Sequence, residues 1–444
     1  MAASARLVVV GGGLAGSEAA YQAAQRGISV ILYEMKPERF SPAHGSPDLA
    51  ELVCSNSLRG AGLGNAVGLL KEEMRRLGSL VIQAADETAV PAGGALAVDR
   101  HAFARRITEA VECHPRIEIR RELVMRIPDD PFVVLATGPL TAGELTADLQ
   151  RVLGEDHLYF YDAISPIVYA DSIDHEVAFR ASRWEDGEGD YLNLPLDREG
   201  YDAFVAALVE ADTVPLHPFE AKLYFEGCLP VEEMARRGPR TLAFGPMKPV
   251  GLVDPRTGRR PHALVQLRQE DKRGVLYNLV GFQTKLRVGE QKRVLRMLPG
   301  LERAVFARFG SVHRNTYLNA PQQLSPTLEL RARPGVFVAG QMAGVEGYVE
   351  SAALGFLAGI HATCALAGLP VPEPDPRTAH GALLAHLRDA DGRAFQPMNV
   401  NFGLFPPLAD VLRGTPKRER NLQMAQRGLD ALRPFVSATS ALCA

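Results

Sequence analysis

The sequence is poor in cysteine and contains no long apolar run. Its five cysteines, at positions 54, 113, 228, 364 and 443, form no Cys-x-x-Cys pair and have no regular spacing. This excludes a disulfide framework and a zinc site, and we expect no bound metal and a reduced, cytoplasmic setting. No unbroken apolar stretch reaches the ~20 residues of a spanning helix, so we expect no membrane partner. The first residues run directly into an apolar strand, and we expect no signal peptide.

The composition is that of an ordinary globular protein. The chain has 444 residues, of which 46% are hydrophobic and 23% are charged. Roughly 150 residues per domain predicts two or three domains. A chain of this length buries a large core, so it does not depend on disulfides or a structural metal.

Acidic residues are scarce in one segment of the sequence. Between Arg236 and Arg314 there are 18 Arg and Lys residues against 5 Asp and Glu, a net of +13, so the rest of the chain carries −16 of the overall −3. A basic block on an acidic body is typical of a protein that binds nucleic acid or another polyanion. A merely solvated face is the alternative. The candidate contacts to the polyanion are Arg259, Arg260, Lys292 and Arg293.

The N-terminus carries a dinucleotide-binding fingerprint. The apolar run 6–10 predicts a buried strand, a Gly-x-Gly-x-x-Gly turn and a helix follow, and the run 28–33 predicts a second strand that ends at Glu34. In such a unit the phosphates lie at the helix N-terminus and the acid binds a ribose hydroxyl. The predicted cofactor-binding residues here are Gly11, Gly12, Gly13, Leu14, Ala15, Gly16 and Glu34.

Two later strands complete the same unit after a long interval. Residues 132–138 and 335–340 are apolar runs that end in Thr-Gly and Ala-Gly, and a helix is predicted after Gln341. Flavoproteins of the glutathione reductase type have these pieces in this order, although their late strand ends in Gly-Asp where this chain has Gly340 and Gln341. We predict that Gly340 and Gln341 bind the cofactor as well, through a contact that differs from that of the aspartate. We therefore predict an α/β, Rossmann-like two-nucleotide flavoprotein fold that is discontinuous and carries an inserted α/β domain. The predicted parts are 1–180 and 305–444 for FAD and 181–304 for the insertion.

No second fingerprint follows a strand elsewhere in the sequence. The cluster 60–64 contains three glycines, but it follows a polar loop and is interpreted as a turn without a strand before it. A dedicated nicotinamide domain is therefore not predicted. Any nicotinamide reductant would have to visit the flavin transiently.

Two of the cysteines lie in loops suited to chemistry. Cys54 is followed by polar residues and an arginine, and Cys228 lies between glycine and proline just before the basic segment. Nearby cations stabilise a thiolate, so both are candidate reactive thiols. Cys113, Cys364 and Cys443 are interpreted as small apolar fillers.

These clusters resemble the folate- and FAD-dependent tRNA uracil-5-methyltransferases (TrmFO), the shorter relatives of the GidA wobble-uridine enzymes. The resemblance covers essentially the whole chain. It rests on the motifs at 11–20, 54–59, 93–100, 225–232, 244–252, 278–284, 313–317, 344–351 and 398–406. GidA proteins carry a further C-terminal domain, which we do not expect in 444 residues.

The resemblance implies transfer of a methyl group to carbon 5 of the T-loop uridine of tRNA. Methylenetetrahydrofolate would supply the carbon, FAD the electrons, and NADH or NADPH would replenish them. In this scheme Cys228 is the nucleophile that adds to uracil, with a pKa below the ~8.5 of a free thiol. Cys54 removes the carbon 5 proton or protects its partner thiol. Tyr348 is a further catalytic candidate, and the pterin is placed near it, His313 and Arg314.

Three alternatives remain open from the sequence. The first is wobble-uridine modification of the GidA kind. The second is a small-molecule flavin oxidoreductase, which predicts a nicotinamide fingerprint and no basic segment. The third is a flavin-stabilised RNA-binding protein without catalysis. The sequence predicts no oligomeric state.

Overall fold

The computed structural model describes residues 6–154, 158–163, 165–184, 189–214, 229–393, 395–409 and 415–442. Two sheets organise this part of the chain, each with its own apolar core. The strands are β1 (Arg6–Val10), β2 (Ser29–Tyr33), β3 (Ser57–Gly60), β4 (Ala89–Val90), β5 (Ala95–Val98), β6 (Ile117–Arg120), β7 (Val133–Leu135), β8 (Leu158–Ala163), β9 (Ile167–Tyr169), β10 (Phe179–Arg180), β11 (Tyr191–Leu196), β12 (Ala263–Gln269), β13 (Leu276–Leu279), β14 (Phe306–Arg308), β15 (Val312–Tyr317) and β16 (Val336–Val338).

The helices surround these sheets. They are α1 (Leu14–Gln25), α2 (Ala66–Arg76), α3 (Leu80–Glu87), α4 (Arg100–Glu112), α5 (Gly143–Leu153), α6 (Arg198–Glu210), α7 (Val231–Arg236), α8 (Thr241–Phe244), α9 (Val288–Leu295), α10 (Ala320–Gln323), α11 (Tyr348–Ala367), α12 (Ala379–Asp389) and α13 (Lys417–Ala441).

The first sheet is parallel and has the order β6-β2-β1-β7-β16. In sequence order this is 3-2-1-4-5, the arrangement of a nucleotide-binding Rossmann half. Strands β1, β7 and β16 are short, apolar and largely buried, as parallel strands covered by helices are. The strand, turn, helix and strand predicted over 6–34 are all present. β16 joins the sheet beside β7, so the late strand returns to the early unit as predicted.

The second sheet has the order β10-β11-β12-β13-β9-β14, with antiparallel pairs throughout. Its strands come from residues 167–308, and α6 packs its apolar side chains into the same core. A two-stranded ribbon of β8 and β15 lies at the chain positions that enter and leave this unit. We call residues 167–308 the inserted unit. The domain boundaries at 180 and 304 fall within its range and stay a prediction.

The parallel sheet and the helices that cover it form what we call the first unit. Helix α11 is the central helix of this unit and packs directly on α1. A Cβ atom on Gly355 would lie 2.2 Å from the carbonyl oxygen of Ala15, and one on Gly359 would lie 2.7 Å from that of Ala19. Only glycine allows the two helices to approach so closely. By length and apolar composition α11 alone among the described helices could cross a membrane, but 83% of its apolar window is buried inside the protein.

The interpretation of the cluster 60–64 was wrong in one respect. A strand, β3, does precede it, and α2 begins at Ala66. However, β3 pairs antiparallel with β5 in a small three-stranded sheet outside the Rossmann unit. The cluster therefore lacks the parallel strand that a dinucleotide fingerprint requires.

Candidate active site

An open cleft of about 1140 Å³ lies at the carboxyl ends of β1, β2, β7 and β16. This edge of a doubly wound sheet is where such folds bind ligands. Seven of the nine predicted cofactor-binding residues line the cleft: Gly11, Gly13, Leu14, Ala15, Glu34, Gly340 and Gln341. Gly12 and Gly16 lie behind its wall.

The fingerprint glycines have different physical roles. A Cβ atom on Gly13 would have no heavy atom within 4 Å, because this position opens into the cleft. By contrast, a Cβ on Gly16 would lie 1.7 Å from the carbonyl oxygen of Gly11. Gly11 itself has φ +101° and lies against Ala136. Gly13 thus leaves room for a ligand, whereas Gly11 and Gly16 allow the turn and α1 to pack.

Glu34 closes the adjacent side of the cleft. Its carboxylate accepts hydrogen bonds from the backbone N–H groups of Gly12 at 2.8 Å and Lys36 at 2.9 Å. These bonds fix a negative charge beside the N-terminus of α1, where a ribose hydroxyl would bind. The Gly13 opening, the helix N-terminus and this acid fit the phosphates and ribose of FAD.

Residues from the late strand form the opposite wall. Gly340 follows β16 with φ +73° and lies next to Ala15. The side-chain amide of Gln341 donates to the carboxylate of Glu346 at 2.5 Å. Gln341, which replaces the aspartate of the glutathione reductase type, is thus held in place by a neighbouring acid.

Cys54 lies beside this cleft at the N-terminus of α11. Its neighbour Val53 lines the cleft, and the thiol residue itself is half-buried. The hydroxyl oxygen of Tyr348 accepts hydrogen bonds from the backbone N–H groups of Cys54 and Ser55 at 2.7 and 3.2 Å. Burial, followed by the proximity of Cys54, raises the pKa of the Tyr348 hydroxyl. The structure therefore brings two predicted catalytic residues, Cys54 and Tyr348, together.

Arg100 fixes the loop on one side of Cys54. This buried arginine donates to the carbonyl oxygen of Leu52 at 2.7 Å, and its other nitrogens donate to one carboxylate oxygen of Glu270 at 2.7 and 3.2 Å. Glu270 belongs to the inserted unit. This ion pair therefore connects the two units next to residues 52–56, which carry Cys54 and which we call the thiol loop.

Two further arginines of the inserted unit bind the same loop. Arg268 donates to the side-chain oxygens of Ser55 and Asn56 at 2.7 and 2.9 Å. Arg308 donates to the carbonyl oxygen of Val53 at 2.9 Å. Burial lowers the pKa of both guanidinium groups. With Arg100, three cations and the single carboxylate of Glu270 surround residues 52–56, and we call these three side chains the arginine cluster.

The predicted polyanion contacts lie on the surface of the inserted unit. Arg259, Arg260, Lys292 and Arg293 are all exposed. Arg293 forms an ion pair with Glu290 at 2.6 Å, and the ammonium of Lys292 lies 5.5 Å from the ring centre of Phe309. Their role in binding stays a prediction.

Part of the basic segment points inward, which the charge count did not anticipate. Arg268 and Arg308 bind the Cys54 loop, and the buried Lys285 pairs with Glu233 at 2.5 Å. These three cations are therefore not available for contacts to a polyanion at the surface.

Four predicted residues fall wholly or partly outside the described part of the chain: Cys228, Cys443, His313 and Arg314. Cys228 and Cys443 lie outside the described residues. His313 and Arg314 belong to β15, opposite Asp162 and Tyr161 of β8, but their side chains lie outside the description. Two of the cysteines predicted to be small apolar fillers differ in their exposure: Cys364 is buried in α11, whereas Cys113 is exposed. Among the described residues, no three His, Cys, Asp or Glu side chains are grouped to hold a metal ion.

Sequence reasoning missed the arginine cluster and part of the cleft wall. Lys36, His44 and Glu51 line the cleft. Burial, followed by the charge of Lys36, lowers the pKa of His44. The sequence offered no signal for the arginine cluster, since its members belong to three distant segments.

The chain is similar to known proteins along its length. A sequence model of the family described as glucose inhibited division protein A matches residues 6–370. A protein of Heliobacterium modesticaldum named methylenetetrahydrofolate–tRNA-(uracil-5-)-methyltransferase TrmFO is 56% identical over 431 residues, 97% of this chain and 98% of that protein. One of the same name from Geobacter sulfurreducens is 58% identical over 427 residues, 96% of this chain and 98% of that protein.

Solved structures show the same fold. GidA of Aquifex aeolicus, in its form II crystal, superposes with a TM-score of 0.70 at 17% identity, covering 100% of this chain and 74% of that chain. Its form I crystal gives 0.71 at 17% identity, covering 99% and 76%. The predicted fold class, a Rossmann-like α/β flavoprotein fold, is confirmed. At this identity the likeness concerns the fold alone.

Proposed function

Because the chain belongs both to the family of glucose inhibited division protein A and to that of the TrmFO methyltransferases, we propose that it methylates the T-loop uridine of tRNA. The reaction is the methylenetetrahydrofolate-dependent methylation of uracil at carbon 5, with FAD as cofactor. The T-loop position, the nicotinamide reductant and a cytoplasmic location are the finer parts of this proposal. The observation that carries it is 56–58% identity to TrmFO proteins over 96–97% of the chain.

The chemistry needs a thiolate and a source of hydride. Carbon 5 of uracil becomes nucleophilic when a thiolate adds to carbon 6, which a cysteine must provide. Carbon 5 then forms a bond to the methylene carbon, the carbon 5 proton leaves, and the bond from the methylene carbon to the folate nitrogen breaks to release tetrahydrofolate. A hydride, two electrons and a proton, converts the methylene into a methyl group. Elimination of the thiolate from carbon 6 restores the uracil ring.

The cleft residues fit the cofactor that this reduction requires. Gly13 leaves space for the pyrophosphate at the N-terminus of α1, and Glu34 stands where the ribose hydroxyl would bind. Gly340 and Gln341 form the opposite wall. FAD bound here would supply the hydride once it has been reduced by NADH or NADPH. In the absence of a second dinucleotide fingerprint in the sequence, NADH or NADPH reaches the cleft only transiently.

We assign the two thiols different tasks. Cys228 precedes the basic segment and is cast as the nucleophile that adds to carbon 6. Cys54 removes the carbon 5 proton or protects the partner thiol. The arginine cluster would hold the loop that carries Cys54 in place, through bonds to Leu52, Val53 and Ser55.

Tyr348 holds the thiol loop in register with the cleft. Its hydroxyl binds the loop backbone, and its ring is part of the cleft lining. We place the pterin of the folate beside it, near His313 and Arg314. Both residues belong to β15, the strand through which the chain leaves the inserted unit.

The tRNA would approach over the exposed basic face of the inserted unit. A T-loop uridine must be extruded before a thiolate reaches carbon 6, at a cost of a few kcal/mol. Phosphate contacts from Arg259, Arg260, Lys292 and Arg293 would offset that cost.

One experiment tests the activity and the carbon source together. Purified protein is incubated with an unmodified tRNA transcript, NADPH or NADH, and methylenetetrahydrofolate labelled in its methylene carbon. We expect the label in 5-methyluridine at the T-loop position after nucleoside analysis. Label that instead came from the methyl group of S-adenosylmethionine, or that appeared in a wobble uridine, would reject the proposal.

A further inference from the structure

Trp184 is exposed in a way that the fold does not explain. It is the single tryptophan of the chain, and 78% of its surface is accessible. Its φ of +65° lies in the left-handed region, which bulky residues rarely adopt. A strained backbone that presents a large aromatic ring to solvent points to a binding role.

The surrounding contacts fix the position of this ring. The indole packs against Gly251, where a Cβ atom would lie 3.0 Å from its Cε2. The preceding Arg183 donates to the carbonyl oxygen of Val250 at 2.9 Å and to the side chain of Gln266 at 3.1 Å. The ring is thus supported on one side by the backbone of the inserted unit, while most of it remains open to a ligand.

A strand connects this position with the thiol loop. Gln266, which binds Arg183, and Arg268, which binds Ser55, are both in β12 and point to the same face. Two residues along a strand span about 7 Å. Arg183, the residue before Trp184, is therefore bound by a β12 residue that lies about 7 Å from Arg268, which binds the Cys54 loop.

The chain on either side of Gly251 in sequence carries exposed charged and aromatic side chains of the kind that bind nucleic acid. Arg259 and Arg260, both exposed, follow the Gly251 turn in sequence. Phe244 is 69% exposed before that turn, with the guanidinium of Arg240 5.0 Å from its ring centre. Proteins that bind unpaired bases combine a basic groove with exposed aromatic rings on which bases stack.

We propose that Trp184 stacks against an unpaired base of the bound tRNA. This inference rests on the proposed function, since it takes tRNA as the substrate. Arginine side chains bind phosphates without regard to the bases. The indole instead recognises an unstacked base, and it would bind only when the loop of the tRNA is open.

The single tryptophan makes the test direct. Tryptophan emission of the FAD-loaded protein is recorded during titration with unmodified tRNA, with and without acrylamide as a collisional quencher. We expect tRNA to quench the emission and to protect the indole from acrylamide. Heparin, a polyanion without bases, should bind the basic face and leave both quantities unchanged. Equal effects of heparin and tRNA would overturn stacking in favour of charge alone.

Variants provide the second measurement. Replacing an aromatic ring that stacks on a base with alanine costs about 1–3 kcal/mol, so Trp184→Ala should raise the Kd for tRNA about 5- to 150-fold. Trp184→Phe should retain most of the affinity. The matched control is Tyr169→Ala, which removes another exposed aromatic side chain of the inserted unit. Flavin content and the melting temperature report whether each variant folds.

The outcomes separate this inference from the proposed function. Stacking would be overturned if Trp184→Ala kept full tRNA affinity and methylation and if tRNA left the tryptophan emission of the wild-type protein unchanged. The methyltransferase assignment would remain intact. Failure of the wild-type protein to bind tRNA would reject both. If Trp184→Ala does not fold, the comparison of tRNA with heparin on the wild-type protein still decides.

Discussion

The hydroxyl oxygen of Tyr348 accepts a hydrogen bond from the backbone N–H of Cys54 at 2.7 Å, across 294 positions of the chain. Tyr348 opens α11, the helix that packs on α1 at the centre of the first unit, so the thiol loop is positioned by a largely buried helix. From the other side the arginine cluster binds the same loop. The position of Cys54 therefore depends on both units.

Removing this hydroxyl should impair catalysis without removing the cofactor. In Tyr348→Phe the N–H groups of Cys54 and Ser55 lose their acceptor, at a cost of roughly 1–3 kcal/mol to the loop geometry. We expect about 10-fold or more slower methylation with unchanged flavin absorbance. Tyr21→Phe, in a half-buried tyrosine outside the cleft, is the control. An unchanged rate in Tyr348→Phe would show that the loop does not depend on this bond.

Replacing Gly13 or Gly16 of the fingerprint with valine should impair different properties, flavin binding in the first case and folding in the second. Gly13→Val places its side chain in open cleft, so the protein should fold normally and be purified without the yellow colour of flavin. Gly16→Val drives its Cβ into the carbonyl oxygen of Gly11, so the fold itself should be destabilised. Absorbance near the flavin band and thermal unfolding distinguish the two. A yellow Gly13→Val protein would place the phosphates elsewhere.

Loss of either reactive thiol should abolish methylation and leave flavin bound. Cys54→Ala and Cys228→Ala are the test, and the exposed Cys113→Ala should be nearly silent. A tRNA carrying 5-fluorouridine at the target should trap a covalent adduct, because fluorine cannot leave as a proton does. If the adduct forms in Cys228→Ala but not in Cys54→Ala, the assigned roles are reversed.

Charge reversal on the inserted unit should weaken tRNA binding at constant flavin content. The variants are glutamate substitutions of Arg259, Arg260, Lys292 and Arg293, and the matched control is Arg105→Glu on the exposed face of α4. The logarithm of wild-type affinity should fall with the logarithm of salt concentration by a slope of roughly −0.9 per phosphate neutralised on duplex. An affinity independent of salt would remove the basis for this surface.

Acid should destabilise the protein partly through His361. This histidine of α11 is buried and donates from Nδ1 to the carbonyl oxygen of Thr327 at 2.8 Å, and burial lowers its pKa to about 4. Between its unfolded pKa of ~6.5 and pH 4 the unfolded chain binds the extra proton, so stability falls as pH falls, by roughly 3 kcal/mol in total. The free energy of unfolding of His361→Gln should depend less on pH in this window. If the free energy of unfolding of the wild-type protein and of His361→Gln depended on pH in the same way, His361 would not be a source of the acid destabilisation.

Local patterns determined what the sequence could predict. The strand, glycine turn, helix and strand of residues 6–34 form within one short stretch, and their apolar period and glycine spacing are visible there. A less local case is α13, which runs to Ala441 with Pro434 inside it while Leu432 and Phe435 pack into the core.

The arrangement around Cys54 could not be predicted in this way. Arg100, Arg268 and Arg308 bind the loop from sequence separations of 48, 212 and 255 residues. A charge count assigns Arg268 and Arg308 to a surface, because it carries no information about which side of a strand faces the other unit. Only the docking of the two units makes them part of the site.

Strand β16 completes the parallel sheet only after the 200 residues 136–335 have been added to the chain. At a translation rate of about 5–20 residues per second, the ribosome needs roughly 10–40 s to make that stretch. During that time β7 is an unpaired edge, and the face of α1 that later receives Gly355 and Gly359 is uncovered. The nascent chain should therefore be a client of holding chaperones, and the inserted unit can fold while the first unit waits for its last strand.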